Sequence, residues 1–116
     1  MPFDAGLAAR VRAQLARRRG ITERRMFGGL AFLLDGKMLC GVTRDDLMVR
    51  VGPDAQAEAL ALPGARPMDF TGKAMRGFVF VDADGTASDA ALERWVARAL
   101  AFGATLRAEA PGARKR

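Results

Sequence analysis

The apolar positions of this chain follow two different periods, and the changes between them mark its elements. Leu7, Val11 and Leu15 recur four apart, the stripe of a helix over Asp4 to Arg18, while Arg10, Gln14 and Arg17 share another face. Asp4 is placed to cap that helix and Gly20 to stop it, with basic residues 17–19 at the negative end of its dipole. After Ile21 the period shortens. Leu30 to Leu34 reads as an apolar strand, Asp35-Gly36 as a hairpin turn, and Met38 to Thr43 as the returning strand. Beyond the Arg44-Asp45-Asp46 turn, Leu47, Val49 and Val51 alternate with Met48 and Arg50, as in a half-buried strand.

Gly52-Pro53-Asp54 breaks this meander and opens a short Ala-rich helix, which ends at Pro63-Gly64. Residues 65–76 carry Pro67 and Gly72 and few apolar groups, so they predict a short edge strand near Met68 to Phe70 and then a loop. Gly77 to Val81 is a strand in which Phe78 and Phe80 face away from Val79 and Val81. In the last helix Ser88 is the cap, Leu92, Trp95, Val96, Ala99 and Leu100 are the apolar stripe, and Gly103 is the expected end. The order α-β-β-β-α-β(-β)-α predicts an α+β fold. It would be a two-layer sandwich, a mostly antiparallel sheet with helices on one face. One domain over 1–106 and a disordered basic tail over 107–116 are expected.

Charge changes this picture locally. The net charge is +6, yet residues 10–25 hold seven Arg against Glu23, and 107–116 hold four basic residues against Glu109. The rest of the chain is therefore acidic on balance, so any polyanion would meet one stretch and a tail rather than the whole fold. An Arg-rich composition also places arginine on any solvated helix face, which is the plainer explanation. No apolar run approaches the roughly 18 residues of a membrane span. Arg24-Arg25 before an apolar run resembles an export signal, but Asp35-Gly36-Lys37 ends the run without a small-residue cleavage site. The lone Cys40 gives no disulfide, and a cytoplasmic location is expected.

Catalytic chemistry is hard to assemble. The chain has no His and no Tyr, the commonest acid/base and metal-binding resource and a frequent alternative. Cys40 has no neighbouring base in sequence and sits mid-strand, where a small buried side chain is the ordinary role. Asp82-x-Asp84 with Glu93 has the span of a calcium loop but has Ala87 where the turn needs Gly. Gly28-Gly29 lacks the Lys-Ser/Thr of a phosphate loop, and a strand follows it rather than a helix. We therefore expect no catalytic residues, no metal and no cofactor.

Met26-Phe27-Gly28-Gly29 directly precedes an apolar strand, and Asp35-Gly36-Lys37-Met38 follows it. In that order and spacing, with Leu47 to Val51, Pro67 to Phe70, Lys73, Gly77-Phe78 and the helix of Leu92, Trp95 and Ala99, the chain resembles the TfoX N-terminal domain family over residues 5–104. The resemblance implies a fold like that of secretion chaperones and a role in regulating bacterial competence genes, where longer members look like transcriptional coactivators. Those members carry a second, helical domain, whereas this chain closes on a short basic tail. The family transfers no catalytic residues, and Met26, Phe27, Gly28 and Gly29 read as a structural motif.

The leading expectation is a non-enzymatic domain that binds a protein, the transcription machinery being one candidate, through its sheet edge or its Arg-rich first helix. Arg24 and Arg25 beside the turn, with Lys73 and Arg76 in the loop, are the contact candidates, each competing with a role as solvated charge. Weak, nonspecific nucleic-acid binding through residues 10–25 and the tail is the alternative, and an unrecognised ligand-binding domain or enzyme is the third. No membrane contact is expected, and a homodimer is compatible with the sequence. If no metal is needed to fold, thermal melts with and without a strong chelator will coincide. A drop of several degrees in chelator would contradict this.

Overall fold

The computed structural model of the chain describes residues 4–26, 28–70 and 73–109. Helix α1 (Ala5–Leu15) leads into the strands β1 (Ile21–Met26), β2 (Gly29–Leu34), β3 (Lys37–Thr43) and β4 (Asp46–Arg50). A 3-10 turn (Pro53–Ala55) and helix α2 (Gln56–Leu60) follow, then β5 (Ala65–Phe70), β6 (Lys73–Val81), a second 3-10 turn (Ala83–Thr86) and helix α3 (Asp89–Glu109). The strands form one open antiparallel sheet in the order β1-β2-β3-β4-β6-β5. The architecture is the α+β sandwich that the element order predicts.

Local chemistry sets the joints. The Asp4 carboxylate accepts the N–H groups of Gly6 at 2.8 Å and Leu7 at 3.1 Å, capping α1. Asp35 and Gly36 both take positive φ, 52° and 85°, the conformation of a two-residue hairpin that follows the twist of β2 and β3. Gln56 ties α2 to the sheet: its side-chain oxygen accepts the Gly77 N–H at 3.0 Å and its nitrogen donates to the Phe78 carbonyl at 3.3 Å.

Alternation then separates the two faces. Leu30, Phe32 and Leu34 of β2, Leu47 and Val49 of β4, and Val79 and Val81 of β6 all join the main core. The helices cover this face: Leu7, Val11 and Leu15 come from α1, Ala59 from α2, and Leu92, Trp95, Val96 and Ala99 from α3. The register shift between Phe32 and Leu33 gives β3 an extra residue, so the consecutive Leu39 and Cys40 both enter the same core. On the opposite face Met48 and Phe80 form a smaller cluster with Met38 and Phe78 packed against it.

Four expectations need correction. Helix α1 ends at Leu15, so Arg17 to Arg19 lie in the turn before β1. The meander holds four strands rather than three, because Ile21–Met26 pairs with β2 despite its Thr-Glu-Arg-Arg sequence. Ile21 packs against the core while Thr22 to Arg25 are exposed, so the strand shows no apolar alternation. Lys73 to Arg76, expected in a loop, instead begin β6, which runs opposite β5, while residues 71–72 of that loop lie outside the described residues. Finally, α3 passes through Gly103 to Glu109. A Cβ at Gly103 would lie 2.8 Å from Leu39 Cδ2, so this glycine permits a close helix–sheet approach and does not end the helix. Residues 110–116, the larger part of the expected tail, lie outside the described residues.

Trp95 anchors the layer of α3, with only 4% of its surface exposed, and the Arg98 guanidinium sits 5.8 Å from its ring centroid. Trp95→Ala should cost roughly 3–5 kcal/mol, a large share of the roughly 5–15 kcal/mol that holds a small domain folded. Chemical denaturation of parent and variant measures it, and an unchanged midpoint would contradict the anchoring role.

Candidate interaction surface

The arginines of the first segment divide into two groups once their partners are identified. Arg10 reaches from α1 to the start of α3. Its Nη2 donates to the Thr86 carbonyl at 2.8 Å and approaches the Ala87 carbonyl at 3.4 Å and Asp89 Oδ1 at 3.3 Å. Arg12 makes a two-pronged pair with Glu23 on β1, Nε to Oε2 at 2.6 Å and Nη2 to Oε1 at 2.9 Å. Hydrogen bonding from Arg12 holds the Glu23 carboxyl below its ordinary range. Arg10 and Arg12 are thus structural fasteners and not merely the solvated face of a helix. Arg17, Arg18 and Arg19 are exposed, and no ion pair involves them among the described residues.

Between α1 and the first half of α3 lies an open groove of about 720 Å³. Its apolar lining includes Val96, which is buried, and Leu100, which is half-buried, while Ala13 and Ala97 line it with small exposed side chains. The Arg10–Asp89 contact occupies one end, Glu93 adds a carboxylate, and Arg18 stands at the other end. No spacing rule could reveal this groove, because Arg10 and Asp89 are 79 positions apart. The one available signal was that Val96 and Leu100 lie on the apolar stripe of α3.

The four contact candidates named from the sequence do not come together. Arg24 and Arg25 are exposed on the edge strand β1, opposite Ala31 and Leu30 respectively, so as successive strand residues they point to opposite faces. Lys73 and Arg76 belong to β6, with β2, β3 and β4 lying between it and β1. At roughly 4.8 Å per strand this is a separation of about 19 Å. Arg76 is exposed, and the Lys73 side chain lies outside the described residues. The far edge, β5, carries Pro67 and a register shift, both of which weaken an edge as a template for a further strand.

Met26 and Gly29 of the motif are paired where β1 meets β2. Gly28 has φ 73°, a conformation that strongly favours glycine. A Cβ on Gly29 would collide with the Val42 carbonyl oxygen of β3. Both glycines therefore have structural reasons to be there. Phe27 and the Met26 side chain lie outside the described residues.

On the face without helices, Arg66 covers part of the apolar surface. Its guanidinium sits 4.8 Å from the Phe80 ring centroid, and its Nη2 bonds Asp46 Oδ2 at 2.6 Å. Arg50 lies within 5.5 Å of the Phe78 centroid and 5.4 Å of the Phe102 centroid. Cys40 is fully enclosed between the sheet and the helices, and burial pushes its thiol up to about 12. A thiol so protonated is not a nucleophile at neutral pH. Among the described residues no three His, Cys, Asp or Glu side chains are grouped to hold a metal ion.

The model of the TfoX N-terminal domain family matches residues 13–103. No curated protein and no solved structure matches the chain.

The buried thiol makes a signed prediction. Unfolded, Cys40 ionises near its ordinary value, about 8.5; folded, it holds its proton to about 12. Its contribution to stability is intact below the lower value and declines as pH climbs toward the upper one, by about 1.4 kcal/mol per pH unit. Urea unfolding from pH 8 to 11 should show a shallower alkaline decline for Cys40→Ala than for the parent. Parallel curves would contradict the buried thiol.

Proposed function

The chain belongs to the TfoX N-terminal domain family, and on that footing we propose that it is a non-enzymatic regulatory domain that acts by binding another protein. The family supports a competence-regulator-like domain; the protein-binding mode is our reading of the surface. The observation that carries it is the groove between α1 and α3, which has apolar lining and small side chains and reaches Arg18, with Arg17 and Arg19 next to it in the turn and none of the three in an ion pair among the described residues. The sheet edges are poorer candidates, since Pro67 and a register shift blunt β5 and three successive charges, Glu23 to Arg25, line β1. Catalysis has little to draw on: the one thiol is buried and protonated. No helix among the described residues is long and apolar enough to cross a membrane. We place the protein in the cytoplasm on the same reading.

Direct nucleic-acid binding remains the competing proposal, and the exposed trio Arg17, Arg18 and Arg19 favours it specifically. It loses strength because Arg10 and Arg12 are engaged within the fold, and an isolated trio gives only weak, salt-sensitive phosphate contact.

Capture from native cell extract, with and without nuclease, separates the two. We expect bound proteins to survive nuclease, and labelled duplex DNA to bind no tighter than about micromolar at physiological salt, the nonspecific level. Loss of every partner on nuclease treatment, or submicromolar duplex binding that disappears when Arg17, Arg18 and Arg19 become Gln, would reverse the ranking.

A further inference from the structure

We infer that the groove between α1 and α3 receives an amphipathic helix of the partner whose acidic residues gather at one end. This rests on the protein-binding reading above and adds the place and chemistry of the contact. Along its length the groove changes character. At one end Arg10 and Asp89 approach to 3.3 Å, and Arg10 is further held by the Thr86 carbonyl, so the two opposite charges there leave no net charge for a guest. Apolar Val96 and Leu100, with the small Ala13 and Ala97, line the space beyond. The other end reaches Arg18, with Arg17 and Arg19 beside it in the turn, all exposed.

Nothing in the described fold neutralises that second end fully. Glu23, the only acid between Asp4 and Asp35 in sequence, is held by both prongs of Arg12. Asp35 is brought near by its N–H bond to the Gly20 carbonyl at 3.0 Å and Glu93 lines the groove, leaving three arginines against two carboxylates. An extended polyanion would use the arginines but not the apolar lining, and a purely apolar helix would use the lining but not the arginines. An acidic-ended amphipathic helix uses both.

The dimensions agree. The lining runs from Asp89 to Leu100 on α3, about three helical turns or roughly 17 Å at 1.5 Å per residue. Alanines on both walls allow the axis of a third helix to approach to about 8 Å, the close limit of helix packing. Glu93, on the α3 wall, would face a neutral or basic position of the guest and so fix which end is acidic.

The test uses the full chain and two labelled, amidated peptides of about 14 residues. Both carry leucines at i, i+3, i+4 and i+7 on an alanine background; one has four glutamates at one end, the other four lysines. Fluorescence anisotropy should show micromolar binding of the glutamate peptide and roughly tenfold weaker binding of the lysine peptide. Ala97→Arg, which obstructs the groove, and the double variant Arg18→Glu/Arg19→Glu should each weaken the glutamate peptide by about tenfold. The double change lies in an exposed turn and keeps the test decisive if Ala97→Arg fails to fold. Equal affinity for the two peptides, or glutamate-peptide binding that neither variant reduces, would overturn the inference, as would tighter binding and displacement by duplex DNA. Proteins captured from extract despite nuclease, and equally well by the parent and both variants, would remove the groove assignment while leaving protein binding intact. Failure of the protein-binding reading itself would appear as no capture at all after nuclease.

Discussion

Three helices cannot cover both faces of a six-stranded sheet, and the way this chain distributes them governs the rest of its structure. All three lie on one side, where the long α3 crosses the central strands β3 and β4 and presents Leu92, Trp95, Val96 and Ala99 to them. That single layer must bury most of the apolar area, which is why the inward positions of β2, β4 and β6 are almost uniformly branched aliphatics or Phe. The uncovered face needs another solution. It has a methionine and aromatic cluster shielded in part by arginine stems, whose charged ends stay in contact with water.

Placing every helix on one side also requires that they be held against each other, and here arginine takes on a structural role. The contact of Arg10 with the carbonyl ends ahead of α3 joins the two helices at one end of the groove that lies between them. Arg12 and Glu23 do the same for α1 and the edge strand, bracing the turn that carries Arg17 to Arg19. A basic segment that looks uniform in sequence therefore has Arg10 and Arg12 fastened within the fold and Arg17 to Arg19 exposed in the turn.

Much of the fold was legible because its signals are local. The Asp35-Gly36 turn, the alternation of Leu47 to Val51, the opposed faces of Phe78 and Val79, and the Ser88 cap each need only a few neighbouring residues. Strand β1 was missed because an edge strand owes its conformation to a partner rather than to its own composition. Gly103 was misread for a similar reason: its role depends on Leu39 and Leu34, more than sixty residues earlier in the chain. The candidate surface was the least legible part. Arg24, Arg25, Lys73 and Arg76 lie near motifs in sequence but on separate strands, whereas the groove brings together residues of α1 and α3 from opposite ends of the chain.

The register shift that turns Cys40 inward has an experimental use. Because the thiol lies beneath α3 at the centre of the sheet, a modifying reagent reaches it only when the helical layer lifts away. Its rate of modification in native buffer is therefore a reporter of core opening, supplied by the natural sequence and needing no added probe. A second cysteine introduced on the surface would react far faster than Cys40 and so take a label selectively in the wild-type background.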